Sequence, residues 1–132
     1  MGIRHNEAKS QRAVIQWWAF SHRILGCPEF LLFAVPNGGK RGIREASLMK
    51  MEGCRAGAPD LLLLVPKAPY HGLVLEMKSA DGRVRPEQKV FLASLSDQGY
   101  KVVIARSTEG AVQAITNYMR GNFTNETPTA QA

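Results

Sequence analysis

The sequence predicts a single α/β domain in which a mixed central sheet is flanked by helices, and three observations carry that reading. Helix-period segments alternate with short apolar runs in the order α, β, α, β, β, α, β, α. Two of the apolar runs are joined by a short turn and can pair as a hairpin. The 132 residues, 45% of them hydrophobic, suffice for one core and not for two.

Each element has its own local cause. From Asn6 to Leu25 the apolar residues Val14, Trp17, Trp18, Ile24 and Leu25 recur at helical spacing, with Asn6 as N-cap and Gly26 as stop before Pro28. Phe30 to Val35 is an apolar run of strand length, ending at Pro36-Asn37-Gly38-Gly39, a loop of turn-forming residues. Ile43 to Glu52 forms a short helix, and the glycines and proline of Gly53 to Pro59 make the next stretch irregular. Leu61 to Val65 and Leu73 to Lys78 are strands on either side of a turn. Pro86 starts a helix that runs to Gln98 with Val90, Phe91 and Leu95 facing inward, and Gly99 closes it. Val102 to Ala105 is the last strand, and Ser107 caps a final helix carrying Ala111, Val112, Ile115 and Met119. Beyond Arg120 there is little to bury. The expected organisation is one domain over residues 1–120 and a disordered tail over 121–132.

Composition narrows the partners. Seventeen Lys and Arg against eleven Asp and Glu give a net charge of +6, which favours an anionic partner without identifying one. Cys27 and Cys54 lack metal-ligand or disulfide-framework spacing, and His5, His22 and His71 are scattered, so no zinc site is expected. The apolar runs, Phe30 to Val35 and Leu61 to Val65 among them, are too short to cross a bilayer. A soluble, cytoplasmic protein in a reducing setting is the expectation.

Chemistry concentrates on one pair of strands. Asp60 immediately precedes an apolar strand, which holds its carboxylate at the rim of a rigid sheet. Glu76 and Lys78 lie two residues apart in the next strand, so both side chains share one face. If the strands pair, two carboxylates meet; they repel unless a cation sits between them, and hard oxygens suit Mg2+ or Mn2+. Met77 points the other way, leaving its backbone carbonyl as an additional metal ligand. A divalent ion beside a lysine is the chemistry that phosphodiester hydrolysis requires. The competing reading makes Glu76 and Lys78 a solvated pair and Asp60 an ordinary strand-entry residue, because this triad also arises by chance.

The wider sequence bears on that choice. The segments Gly57-Ala58-Pro59-Asp60 and Gly72-Leu73-Val74-Leu75-Glu76-Met77-Lys78 resemble the signature of the VRR-NUC branch of the PD-(D/E)xK nuclease superfamily. Arg85-Pro86-Glu87-Gln88 is similar to the family's helix start, Gly99-Tyr100 to the glycine before its last strand, and Pro36-Asn37-Gly38-Gly39 to its loop. Glu7 and Gln11 resemble its Glu-x-x-x-Gln on the first helix, and the likeness spans residues 5 to 116.

The resemblance implies the PD-(D/E)xK nuclease core and a Mg2+- or Mn2+-dependent DNA endonuclease of replication, recombination or repair, of a phage or bacterial kind. It implies Asp60 and Glu76 as metal ligands, Lys78 facing water and phosphate, Gln88 as an active-site helper and Glu7 as a further acidic contributor, to the metal itself or to its shell of water. Without it, Gln88 reads as a solvated first-turn residue and Glu7 as a favourable charge on the helix dipole. Stand-alone members are similar to homodimeric resolvases of four-way junctions, which implies branched DNA as substrate and a two-fold dimer. Asn37, Gly38, Gly39, Lys40 and Arg41, with Arg44, Lys9 and Arg12, are candidate backbone contacts to DNA, or simply solubilising charge. Trp17 and Trp18 read as core rather than base-stacking residues. The rivals are a non-catalytic nucleic-acid-binding module on the same fold, and a restriction-type or single-strand nuclease.

Overall fold

A computed structural model describes residues 3–36 and 42–123. Four helices, α1 (Ile3–Ser21), α2 (Ile43–Met51), α3 (Pro86–Asp97) and α4 (Thr108–Met119), accompany four strands, β1 (Leu32–Ala34), β2 (Leu61–Leu63), β3 (Leu73–Met77) and β4 (Lys101–Ala105). The sheet order is β1-β2-β3-β4. β1, β2 and β3 are antiparallel neighbours, whereas β4 lies parallel to β3 because α3 carries the chain back across the sheet. The fold is therefore the mixed α/β sheet that the order of elements predicts.

The strand period of two sorts the side chains onto two faces. Leu32, Leu61, Leu63, Leu73, Leu75 and Met77 face the main core, which α1 closes with Val14 and Trp18 and α4 with Ala111, Ile115 and Tyr118. Val74 and Val102 face the other way, where Val84 and Leu92 cover them. Each fully buried leucine contributes about 2 kcal/mol of transfer free energy. The polar ends of the core aromatics are bonded: the Trp18 indole donates to Glu29 O (2.7 Å) and the Tyr118 hydroxyl to Val65 O (2.6 Å).

Several expectations on element bounds change. α1 begins at Ile3, so Asn6 lies inside the helix and does not cap it. The Phe30–Val35 run splits into a 3₁₀ turn at Glu29–Leu31 and a three-residue strand, with Phe30 turned to solvent. Ile24 falls beyond α1 and is exposed. On α3 the inward face is Gln88, Leu92 and Leu95, at helical spacing, and Val90 points outward, 68% exposed. Ser107 caps α4 as expected, accepting from Gly110 N–H at 2.9 Å, a bond worth about 1 kcal/mol. The packed chain also continues past Arg120, since Phe123 meets Tyr70 edge to face. No helix among the described residues is long and apolar enough to cross a membrane.

Candidate active site

Asp60 is held by its backbone before its side chain does anything. Its N–H donates to Leu75 O of β3 (3.1 Å), and its carbonyl accepts from Val35 N–H beyond β1 (2.9 Å). Both neighbours in the sheet therefore clamp the residue that leads into β2. The carboxylate reaches across to β3, where Oδ2 accepts Met77 N–H at 2.7 Å. A strand residue points its N–H and C=O to the same side, so the Met77 carbonyl also faces the Asp60 side.

Glu76 lies next to it, 2% exposed. Its Oε2 accepts from Gln88 Nε2 at 2.9 Å and lies 3.6 Å from the Lys78 ammonium. Its Oε1 is buried with no hydrogen-bond partner. Gln88 is fixed at its other end, where Oε1 accepts Arg85 N–H at the start of α3 (2.9 Å). One amide thus caps a helix and orients a carboxylate, and only 4% of it is exposed.

The electrostatics follow from this crowding. Burial pushes the Glu76 carboxyl up to about 8, helped by the charge of Asp60, while Lys78 pulls it down and Glu7 adds slightly to the rise. Asp60 is also raised, first by burial; the Met77 hydrogen bond and Lys78 oppose this, and Glu7 again raises it. A buried acid with an orphaned oxygen and a half-buried one beside it, which resist ionising together, are suited to a dication that removes both penalties. The donor set consequently fits a hard divalent ion held by Asp60, Glu76 and the Met77 carbonyl.

Glu7 approaches from α1, partly buried, and a Cβ at Gly82 would stand 3.4 Å from its Oε2. Its charge contributes to the raised pKa of both acids, and among the described residues no group of three His, Cys, Asp or Glu is gathered closely enough to hold a metal by itself. Lys9 and Arg12 are exposed on α1, with Arg12 lining an open groove of about 420 Å3 together with Ala8, Gln11, Ile15 and Gln16. Arg44 is exposed on α2. Asn37, Gly38, Gly39, Lys40 and Arg41 lie outside the described residues. Trp18 is fully in the core, with Trp17 packed against it.

Two supports escaped sequence reasoning. Arg106, just past β4, donates to Ser79 O (3.1 Å) and Gly82 O (2.6 Å) and so ties down the loop that follows Lys78. Gly57 presses on α3: a Cβ there would stand 2.7 Å from Glu87 O, beside Gln88. Only a glycine fits so close an approach with φ of +83°. Gly53 and Gly57, ahead of Pro59, are the visible signal for the second; nothing in the sequence marks the first.

The arrangement matches a known family. A profile of the VRR-NUC domain fits residues 5–109. The chain belongs to the VRR-NUC family. A solved structure titled VRR_NUC domain protein superimposes on it with a TM-score of 0.73 at 26% identity, covering 92% of this chain and 98% of that one. No curated protein matches the chain. The VRR-NUC assignment gives it a nuclease-type fold, and the match runs from α1 through the start of α4, including every candidate residue named above.

Proposed function

We propose that this VRR-NUC domain is a Mg2+- or Mn2+-dependent DNA endonuclease that selects branched DNA and works as a homodimer. The observation that carries the reading is the pairing of half-buried Asp60 with buried Glu76, both raised in pKa, with Glu76 Oε1 unpartnered and the Lys78 ammonium 3.6 Å from Oε2. Asp60, Glu76 and the Met77 carbonyl would hold the ion, which when bound lowers the pKa of a water and neutralises charge on the phosphate. Lys78, pinned by Glu76, presents its ammonium to the scissile phosphate and stabilises the charge that builds there. Gln88 keeps Glu76 oriented, so the carboxylate spends no reorganisation during turnover. Net charge of +6 draws the polyanion in.

Branched DNA and the dimer rest on the family likeness; the exposed apolar side chains Phe20, Ile24, Ile43 and Met51, 83% exposed or more, are available to a protein partner. A two-fold dimer would place one site on each of two strands of a junction. The test incubates the purified protein with four-way junction, flap, single-stranded and linear duplex DNA, with and without Mn2+ or Mg2+. Metal-dependent cleavage should fall at least a hundredfold in Lys78→Ala while DNA binding stays within a few-fold. Binding without cleavage by the wild-type protein would instead identify a non-catalytic module.

A further inference from the structure

The sheet face that carries Asp60 and Glu76 is covered only in part. Its cross-strand row runs Phe33, Leu62, Val74, Val102, as the registers of the four strands dictate. Val84 and Leu92 close the Val74 and Val102 end, and Leu62 packs against that cluster. At the β1 end Phe33 is left 39% exposed, and Leu64, on the same face by the strand period, is 48% exposed. Leu62 lies two residues beyond Asp60, about 7 Å along β2, and Phe33 is opposite Leu62 at about 5 Å. A part-exposed aromatic side chain therefore lies roughly one nucleotide's reach from the paired carboxylates.

We infer that Phe33 is a stacking platform for an unpaired nucleobase next to the scissile phosphate. This rests on the nuclease reading and narrows its substrate class. In a duplex the base faces are hidden in the stack, so a ring on the sheet can meet a base only where the strand is splayed or single. The continuity of Phe33 with the carboxylates, on a chain of net charge +6, favours DNA as its occupant over another apolar surface. The preferred substrate is then DNA carrying unpaired nucleotides at the cleavage position, and a continuous duplex is a poor one.

The experiment uses the full-length protein in EDTA, so that no cleavage is needed, with an oligonucleotide bearing 5-iodouracil, either single-stranded or annealed to its complement. Irradiation should crosslink the peptide containing Phe33 to the single strand and not to the duplex. Phe33→Leu, which keeps the apolar volume, should weaken single-strand binding roughly tenfold, the loss expected for one stacked base, and leave duplex binding within twofold. Phe33→Trp should retain both the crosslink and the affinity. A crosslink that maps elsewhere overturns the inference, as does an equal loss on duplex. So does a homodimer that Phe33→Leu dissociates, because a second copy then covers the ring. Since every arm reads binding without metal, absence of cleavage in the earlier assay would sink the nuclease reading and leave this result standing by itself.

Discussion

At the scale of single residues, the site is built from side chains that each satisfy two demands. Gln88 bonds Arg85 N–H and Glu76 at once, and Asp60 bonds Met77 N–H while its backbone joins two strands. Glu76 is the exception, with one oxygen buried and unpartnered, and its proton has a measurable consequence. A folded-state pKa of about 8, above the ordinary 4.5, means that the folded protein binds more protons than the unfolded chain between those values. The stabilisation is complete below the lower value and is lost as pH rises through the upper one. In EDTA the melting temperature should therefore fall between pH 5 and pH 8.5, and Glu76→Gln should flatten the fall and melt above wild type at pH 8. Mn2+ should restore the wild-type melting temperature at pH 8 and have little effect on Glu76→Gln. A flat wild-type profile would argue against the buried, uncompensated carboxyl.

At the scale of elements, short strands position the chemistry because their ends are clamped. β2 is three residues long, yet Asp60 at its entrance is bonded on both sides. The loop before it is set by Gly57, which lies against the α3 backbone at Glu87. Gly57→Ala combines a left-handed φ with a Cβ 2.7 Å from a carbonyl oxygen, and should cost about 2 kcal/mol or more. Gly53→Ala, with φ of +106° and open space around the new methyl, isolates the backbone strain. Thermal melts should show the larger drop for Gly57→Ala, together with a loss of cleavage that Gly53→Ala does not share. Equal drops would mean that contact with α3 is unimportant. Legibility differs between the two halves of this site: Asp60, Glu76 and Lys78 stood out because charged residues interrupt apolar runs at a strand's period. Arg106 did not, because its job is to hold two carbonyls 24 and 27 positions away, and sequence carries no mark of such a bond.

At the scale of the whole molecule, one sheet divides its labour between faces. Leu61, Leu63, Leu73 and Leu75 anchor it to α1 and α4, and the reverse face is given over to α3 and the carboxylates. α2 buries no side chain of its own, and Ile43 and Met51 stand 91% and 83% exposed on it. If the proposed homodimer uses this face, sedimentation at micromolar concentration should give the mass of a dimer, shifting to monomer when Ile43 and Met51 are both changed to Ser. A wild-type monomer at that concentration would count against paired cleavage.

Sequence alone determined the order of elements, the hairpin that joins β2 to β3, and the identity of the charged residues in it, because hydrophobic period and turn chemistry are local properties. It also carried the family likeness, which is a matter of motifs in order. Tertiary structure decided which face of α3 turns inward, replacing Val90 with Gln88, and which oxygens are already bonded. It decided too that Phe33, opposite Leu62 and two positions along the strand from Asp60, is left part-exposed. These depend on how separate elements pack, and a side chain's exposure or an orphaned oxygen is set by neighbours distant in the chain.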